Sequence, residues 1–212
     1  MNIIVNILIN YLPLFLMSLI FCLKNKQIKW YMAIISILIG MLAVLPATLI
    51  QFLFPEMFFV NQTMISLLVS SLVYIALVEE VCKTACLFLV PHKNLNISTF
   101  FVLSFLVGYS FGSFENIIYI LKGLTNPILR MFTSCVVHAI CTATASFFIW
   151  FLRKKKFHLT LILTPIFVHG LYDFFAGFPG KFWLVSIIVI LYGIFQCNVF
   201  YQMFRNENSI NE

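Results

Sequence analysis

The sequence predicts an all-α, polytopic membrane bundle of about seven transmembrane helices, with its amino terminus outside and its carboxyl terminus inside. Three observations carry that prediction. Of 212 residues, 62% are hydrophobic and only 9% charged, where soluble domains have about 45–50% apolar and about 25% charged residues. Mean hydropathy is +1.04. Apolar runs of spanning length recur along the whole chain, and basic residues collect in alternate connections. Such a chain cannot cover a water-facing surface, which excludes a soluble enzyme, a nucleic-acid binder and a disordered regulator. At about 20 apolar residues per span, there is room for at most about eight helices and none for an aqueous domain. Residues 1–212 are therefore read as one multi-pass integral membrane domain in a lipid bilayer.

The spans fall at about residues 2–23, 30–54, 64–90, 97–121, 128–152, 157–177 and 181–204. Between them lie breakers and charges, among them Pro55-Glu56, Pro91-His92-Lys93, Asn126-Pro127 and Pro179-Gly180. The first run has no basic segment before it and no small-residue cleavage site after it, so it reads as a retained helix. Orientation follows from loop charge. With the amino terminus outside, Lys24, Lys26, Lys29, Lys93, the run Arg153 to Lys156, and Arg205 face the cytoplasm, leaving Lys122, Arg130 and Lys181 outside. The net charge of +6 is thus a topology signal rather than a phosphate-binding one. All six cysteines lie in or beside apolar runs and read as small buried thiols, with no disulfide framework and no thiolate metal site.

Polar residues inside the spans are the informative ones. Glu79, Glu80, Glu115 and Asp173 are intramembrane carboxylates, joined by Lys83, His138 and His169. An ionised group at a helix centre costs about 2.5–3.5 kcal/mol on insertion scales, so Glu79, Glu80 and Lys83 together cost roughly 8–10 kcal/mol. The fourteen Leu, Ile, Val and Phe residues of that span recover roughly 4–8 kcal/mol. The third helix therefore needs partners within a bundle. Lys83 is four residues from Glu79 and three from Glu80, and either pair is compatible with a helix. The fourth span carries a stripe of Ser104, Gly108, Gly112 and Glu115, the fifth a ladder of Arg130, Ser134, His138, Thr142 and Ser146, and the sixth Pro165, His169, Asp173 and Gly177. One shared interior site explains four such stripes. Carboxylates and neutral imidazoles around a small cavity can activate water, one carboxylate acting as general base. No serine or cysteine stands in a nucleophile motif.

At these residues the chain resembles the PrsW-type intramembrane proteases. Glu79-Glu80-Val81-Cys82-Lys83 matches the E-E-x-x-K motif, and Phe111-Gly112-Ser113-Phe114-Glu115-Asn116 matches F-x-x-x-E-N. His138-Ala139 with Thr142 is similar to the third motif, and His169-Gly170-Leu171-Tyr172-Asp173 to the fourth, H-G-x-x-D. The motifs lie within a core at about 64–177. The resemblance implies a glutamic-type or metal-assisted peptidase that makes the outer cut in a single-pass, membrane-anchored anti-sigma factor. It also implies distant kinship with the CAAX prenyl protease and bacteriocin-immunity superfamily, from whose patterns Lys83 and Glu115 depart. On this reading Glu79 is the general base, with Glu80 as substitute. Glu115, His138 and His169 position the water or ligate zinc, Asp173 orients His169 or binds the oxyanion, and Lys83 balances charge. Two other functions compete. An ion- or proton-coupled transporter would show inverted repeats with interrupted helices, and the polar residues here crowd into four consecutive spans instead. A catalytically silent immunity or chaperone relative would not need every acid and histidine intact.

Overall fold

The computed structural model describes residues 3–54, 63–93, 95–123, 126–178 and 180–210. Among these there are helices and no strands. Six helices are long and apolar enough to cross a membrane, and a seventh apolar helix is shorter. We number them α1 (Ile3–Lys24), α2 (Trp30–Leu53), α3 (Met64–Leu89), α4 (Ile97–Leu121), α5 (Pro127–Arg153), α6 (Thr160–Ala176) and α7 (Trp183–Ile210). The chain is thus a multi-pass integral membrane protein. The predicted turn at Pro55-Glu56, and Pro179, lie outside the described residues.

Local chemistry starts the helices where they start. Thr63 and Ser66 form a reciprocal capping box before α3. Asn96 accepts from the Thr99 amide at the head of α4. Asn126 does the same for Ile128 and Leu129 ahead of α5, with Pro127 in the first turn, where it has no bond to lose. Two helices depart from regular geometry. In α3, the segment Ser70–Leu77 is π-helical before the α-helical stretch Val78–Cys86 that carries the paired glutamates. In α5, Thr133 (φ −115°, ψ −80°) separates Pro127–Phe132 from Ser134–Arg153.

Most of α4 and α5 is buried, and the other helices pack around them. Gly108 and Gly112 make the central contact. A Cβ on Gly108 would lie 2.3 Å from the His138 carbonyl, and one on Gly112 would lie 2.7 Å from the His138 ring. The small-residue stripe therefore brings α4 against the histidine of α5, the close approach such stripes permit in membranes. Gly170 on α6 meets the π-helical segment of α3, where a Cβ would fall 2.9 Å from Leu72 Cα. Peripheral α1 and α7 turn Leu8, Leu12, Phe15, Ile188, Leu191 and Phe195 outward, a belt of apolar side chains of the kind that lipid solvates. The six cysteines are free thiols.

Candidate active site

Seven polar side chains from α3, α4, α5 and α6 meet inside the bundle, at the end where α2, α4 and α6 finish and α5 and α7 begin. Each was expected from sequence as a member of one site. Glu79, Glu80, Lys83, His138 and His169 are all buried, and Glu80 and Lys83 are wholly so. Glu115 and Asp173 retain side-chain exposures of 18% and 24%, which puts them at the rim.

Adjacent positions on α3 give the two glutamates different surroundings. Glu80 points inward. Its Oε1 accepts from Lys83 Nζ at 2.5 Å and lies 2.8 Å from His169 Nδ1. Glu79 points toward a cavity of about 140 Å³ whose lining includes Gln51, Glu115, Phe111, Tyr119 and Lys122. Gln51 Nε2 donates to Glu79 Oε1 at 3.4 Å, while Glu79 Oε2 is buried with no hydrogen-bond partner. The lysine thus pairs with Glu80, the i, i+3 alternative of the two that spacing allowed. Its ammonium also lies 4.5 Å from the centre of the Phe111 ring.

The imidazole of His138 has a defined tautomer. Lys83 Nζ, which has only protons to offer, lies 2.9 Å from His138 Nδ1, so Nδ1 accepts. Nε2 then carries the hydrogen and donates to Glu115 Oε2 at 3.1 Å. That same oxygen accepts from Arg130 Nη2 at 2.8 Å, and Arg130 also donates to Ser134 Oγ at 3.2 Å. His169 is held differently. Nδ1 faces Glu80, and Nε2 lies 3.2 Å from Asp173 Oδ2. A neutral imidazole can donate to only one of two carboxylates, so one of these contacts sets lone pair against lone pair.

This arrangement tests whether a cation fits. Glu79 Oε2 lies 3.8 Å from His138 Nδ1 and 3.9 Å from His169 Nε2. These separations are too long for hydrogen bonds, but two zinc–ligand bonds of about 2.0–2.2 Å span them. Glu79, His138 and His169 together place one ligand atom each within 4.8 Å of the others. Unpartnered Glu79 Oε2 and Asp173 Oδ2 border the same space. A metal ion there would have to take the His138 Nδ1 lone pair from Lys83, whereas Glu79 Oε2 is open to an ion or an added proton as it stands. The triplet differs from the zinc set expected from sequence in one member, with Glu79 in place of Glu115. Glu115 lies on the far side of the His138 ring, where Arg130 engages it.

Sequence reasoning passed over several residues. Gln51, near the end of α2, bonds to Glu79, and the Tyr74 hydroxyl donates to the Gln51 carbonyl. Arg130 was assigned to topology and the α5 ladder, yet it holds Glu115. Asn10 of α1, 1% exposed, donates to the Ser113 carbonyl at 2.7 Å. It also accepts from Asn116 Nδ2 at 2.7 Å, and Asn116 Nδ2 lies 3.1 Å from the Pro127 carbonyl. The asparagine of F-x-x-x-E-N is therefore a clamp joining α1, α4 and the head of α5. The available signal was, for Asn10, its place with Asn2 and Asn6 in a ladder at steps of four along the first span, and for Gln51 an amide in an apolar run near the end of the second.

No curated protein and no solved structure matches the chain. A family model described as PrsW family intramembrane metalloprotease matches residues 28–199, a stretch that contains all four motifs and every residue of the site except those contributed by α1. The chain belongs to the PrsW family of intramembrane metalloproteases.

Proposed function

We propose that this protease hydrolyses a single-pass membrane protein, of the kind exemplified by an anti-sigma factor, at or just outside the extracytoplasmic boundary of its span. The observation that carries the chemistry is the unpartnered Glu79 Oε2 at the wall of a small polar cavity, flanked by two fixed imidazoles. Glu79 acts as general base. As the water oxygen attacks the peptide carbonyl, its proton passes to the Glu79 carboxylate and then to the departing amine, so the C–N bond breaks with the charges balanced. Glu80 supports this from behind, because its oxygen is committed to Lys83 and His169. Asp173 orients His169 from the other side, and Glu115 keeps the Nδ1 lone pair of His138 turned inward. A metal held by Glu79, His138 and His169 would instead make Glu79 a ligand and supply a Lewis acid and a more acidic bound water in place of the free carboxylate base.

The side of the membrane follows from loop charge and depth. The orientation with the amino terminus outside puts the site end of the bundle outward. From Glu115, α4 continues only to Leu121, about 9 Å at the helical rise of about 1.5 Å per residue. The deciding experiment co-expresses wild type or Glu79→Gln with tagged single-pass substrates and maps the new termini. Glu79→Gln should accumulate normally while cleavage falls about 10²–10⁴-fold, as for loss of a general base. Undiminished cleavage would remove Glu79 from the mechanism, and a cut on the cytoplasmic side would overturn the sidedness.

A further inference from the structure

A second cavity, of about 340 Å³, opens between the head of α5, the end of α6 and the start of α7. Its volume falls within the roughly 300–1,000 Å³ of ligand-binding clefts. Arg130, Thr133 and Tyr172 make its polar end, and Leu129, Phe178 and Trp183 its apolar wall. Both sides of the polar end run directly into the reaction centre. Arg130 bonds to Glu115, which accepts from His138. Tyr172 is followed in the chain by Asp173, which abuts His169. Arg130 and Glu115 therefore stand between this cavity and the one that holds Glu79.

Arg130 has unused donors. Its Nη2 serves Glu115 and Ser134, and its guanidinium carbon lies 4.0 Å from the centre of the Tyr119 ring, yet Nε is buried without a partner. The missing acceptor is best uncharged. Glu115 already balances the guanidinium at 2.8 Å, and an added anion would face Glu115 and Asp173. A backbone carbonyl meets no such repulsion. An extended substrate chain presents such carbonyls without intrahelical partners.

We propose that this cavity is the subsite for the substrate chain on one side of the cleaved bond. The Arg130 guanidinium, which lines the cavity, donates to a peptide carbonyl there, and the Leu129, Phe178 and Trp183 wall receives an apolar side chain. The inference rests on the protease reading and adds a specificity determinant to it. The test uses the full chain purified in detergent and incubated with a proteome-derived peptide mixture, the cut positions being read by mass spectrometry. Ala176 is exposed on the cavity wall, so Ala176→Phe fills the space without disturbing helix packing. It should reduce cleavage beside large apolar residues about tenfold or more, on one side of the bond only. Arg130→Lys keeps a cation for Glu115 but removes the guanidinium's fork of donors, and should raise KM more than it lowers kcat. This second variant decides the matter if Ala176→Phe does not fold. An active wild type whose residue preference is unchanged in Ala176→Phe, or whose KM is unchanged in Arg130→Lys, overturns the subsite while leaving the protease reading intact. A wild type that cuts neither these peptides nor a co-expressed tagged single-pass protein overturns that reading, and the subsite with it.

Discussion

Lys83 and Glu80 bring two full charges into an interior where neither has water. Breaking a buried ion pair from one side strands the other charge and typically costs about 3–5 kcal/mol, whereas replacing both members can be nearly neutral. Lys83→Met should therefore unfold at a markedly lower temperature in detergent, and Lys83→Met combined with Glu80→Gln should recover much of the loss. Equal melting temperatures for single and double variants would mean that the pair is not coupled. The chemistry of these positions was legible from the sequence, because an intramembrane charge needs a reason. Which glutamate takes the lysine was not, since both spacings fit a helix. The choice is tertiary: His138 approaches Lys83 from α5 and His169 approaches Glu80 from α6. The same limit explains the zinc set. Sequence spacing turned Glu115 toward the bundle, and the structure places it at the rim of the site, but no pattern within α4 could reveal that Arg130 engages it across the loop.

At the scale of helices, all seven were legible from hydropathy, to within about three residues at each end except the last, where α7 runs on past 204 to Ile210. Their irregularities were not. Regular spacing treats α3 and α5 as unbroken, yet α3 is π-helical over Ser70–Leu77 and α5 breaks at Thr133. This eight-residue π-helical stretch lies just before Glu79 and packs on Gly170, a contact that periodicity within α3 cannot encode. Close packing of α4 on α5 makes a sharper forecast. Gly112→Ala brings a methyl 2.7 Å from the His138 ring and 2.8 Å from Cys135 Cα, so α5 must shift. Overpacking of this kind costs about 1–3 kcal/mol, and cleavage should fall more than stability because the displaced side chain is His138. Gly177→Ala, with its nearest neighbours at 3.5 and 3.6 Å, should be silent in both assays. A Gly112→Ala variant with wild-type cleavage and melting temperature would contradict the packing of α4 on His138.

For the molecule as a whole, the orientation is the expectation that most needs a direct measurement. Lys181 and Lys156 are exposed at opposite ends of the bundle, and the native cysteines are buried or half-buried. A thiol reagent that cannot cross the membrane should label Lys181→Cys in intact cells and leave Lys156→Cys unlabelled until the cells are opened. The reverse pattern would turn the site toward the cytoplasm. The asparagine clamp has a separate bearing on how this enzyme can be trimmed or recombined. The matched family segment starts at residue 28, beyond α1, and a minimal catalytic fragment cut there would look complete by homology. It would nevertheless lose Asn10, and with it the extra bond to the Ser113 carbonyl and the acceptor for one hydrogen of the Asn116 amide, next to the glutamate those residues flank. Helix one is in this sense a removable-looking part that the active site cannot do without, and swapping it between relatives should succeed only where the incoming helix brings an amide to the same depth.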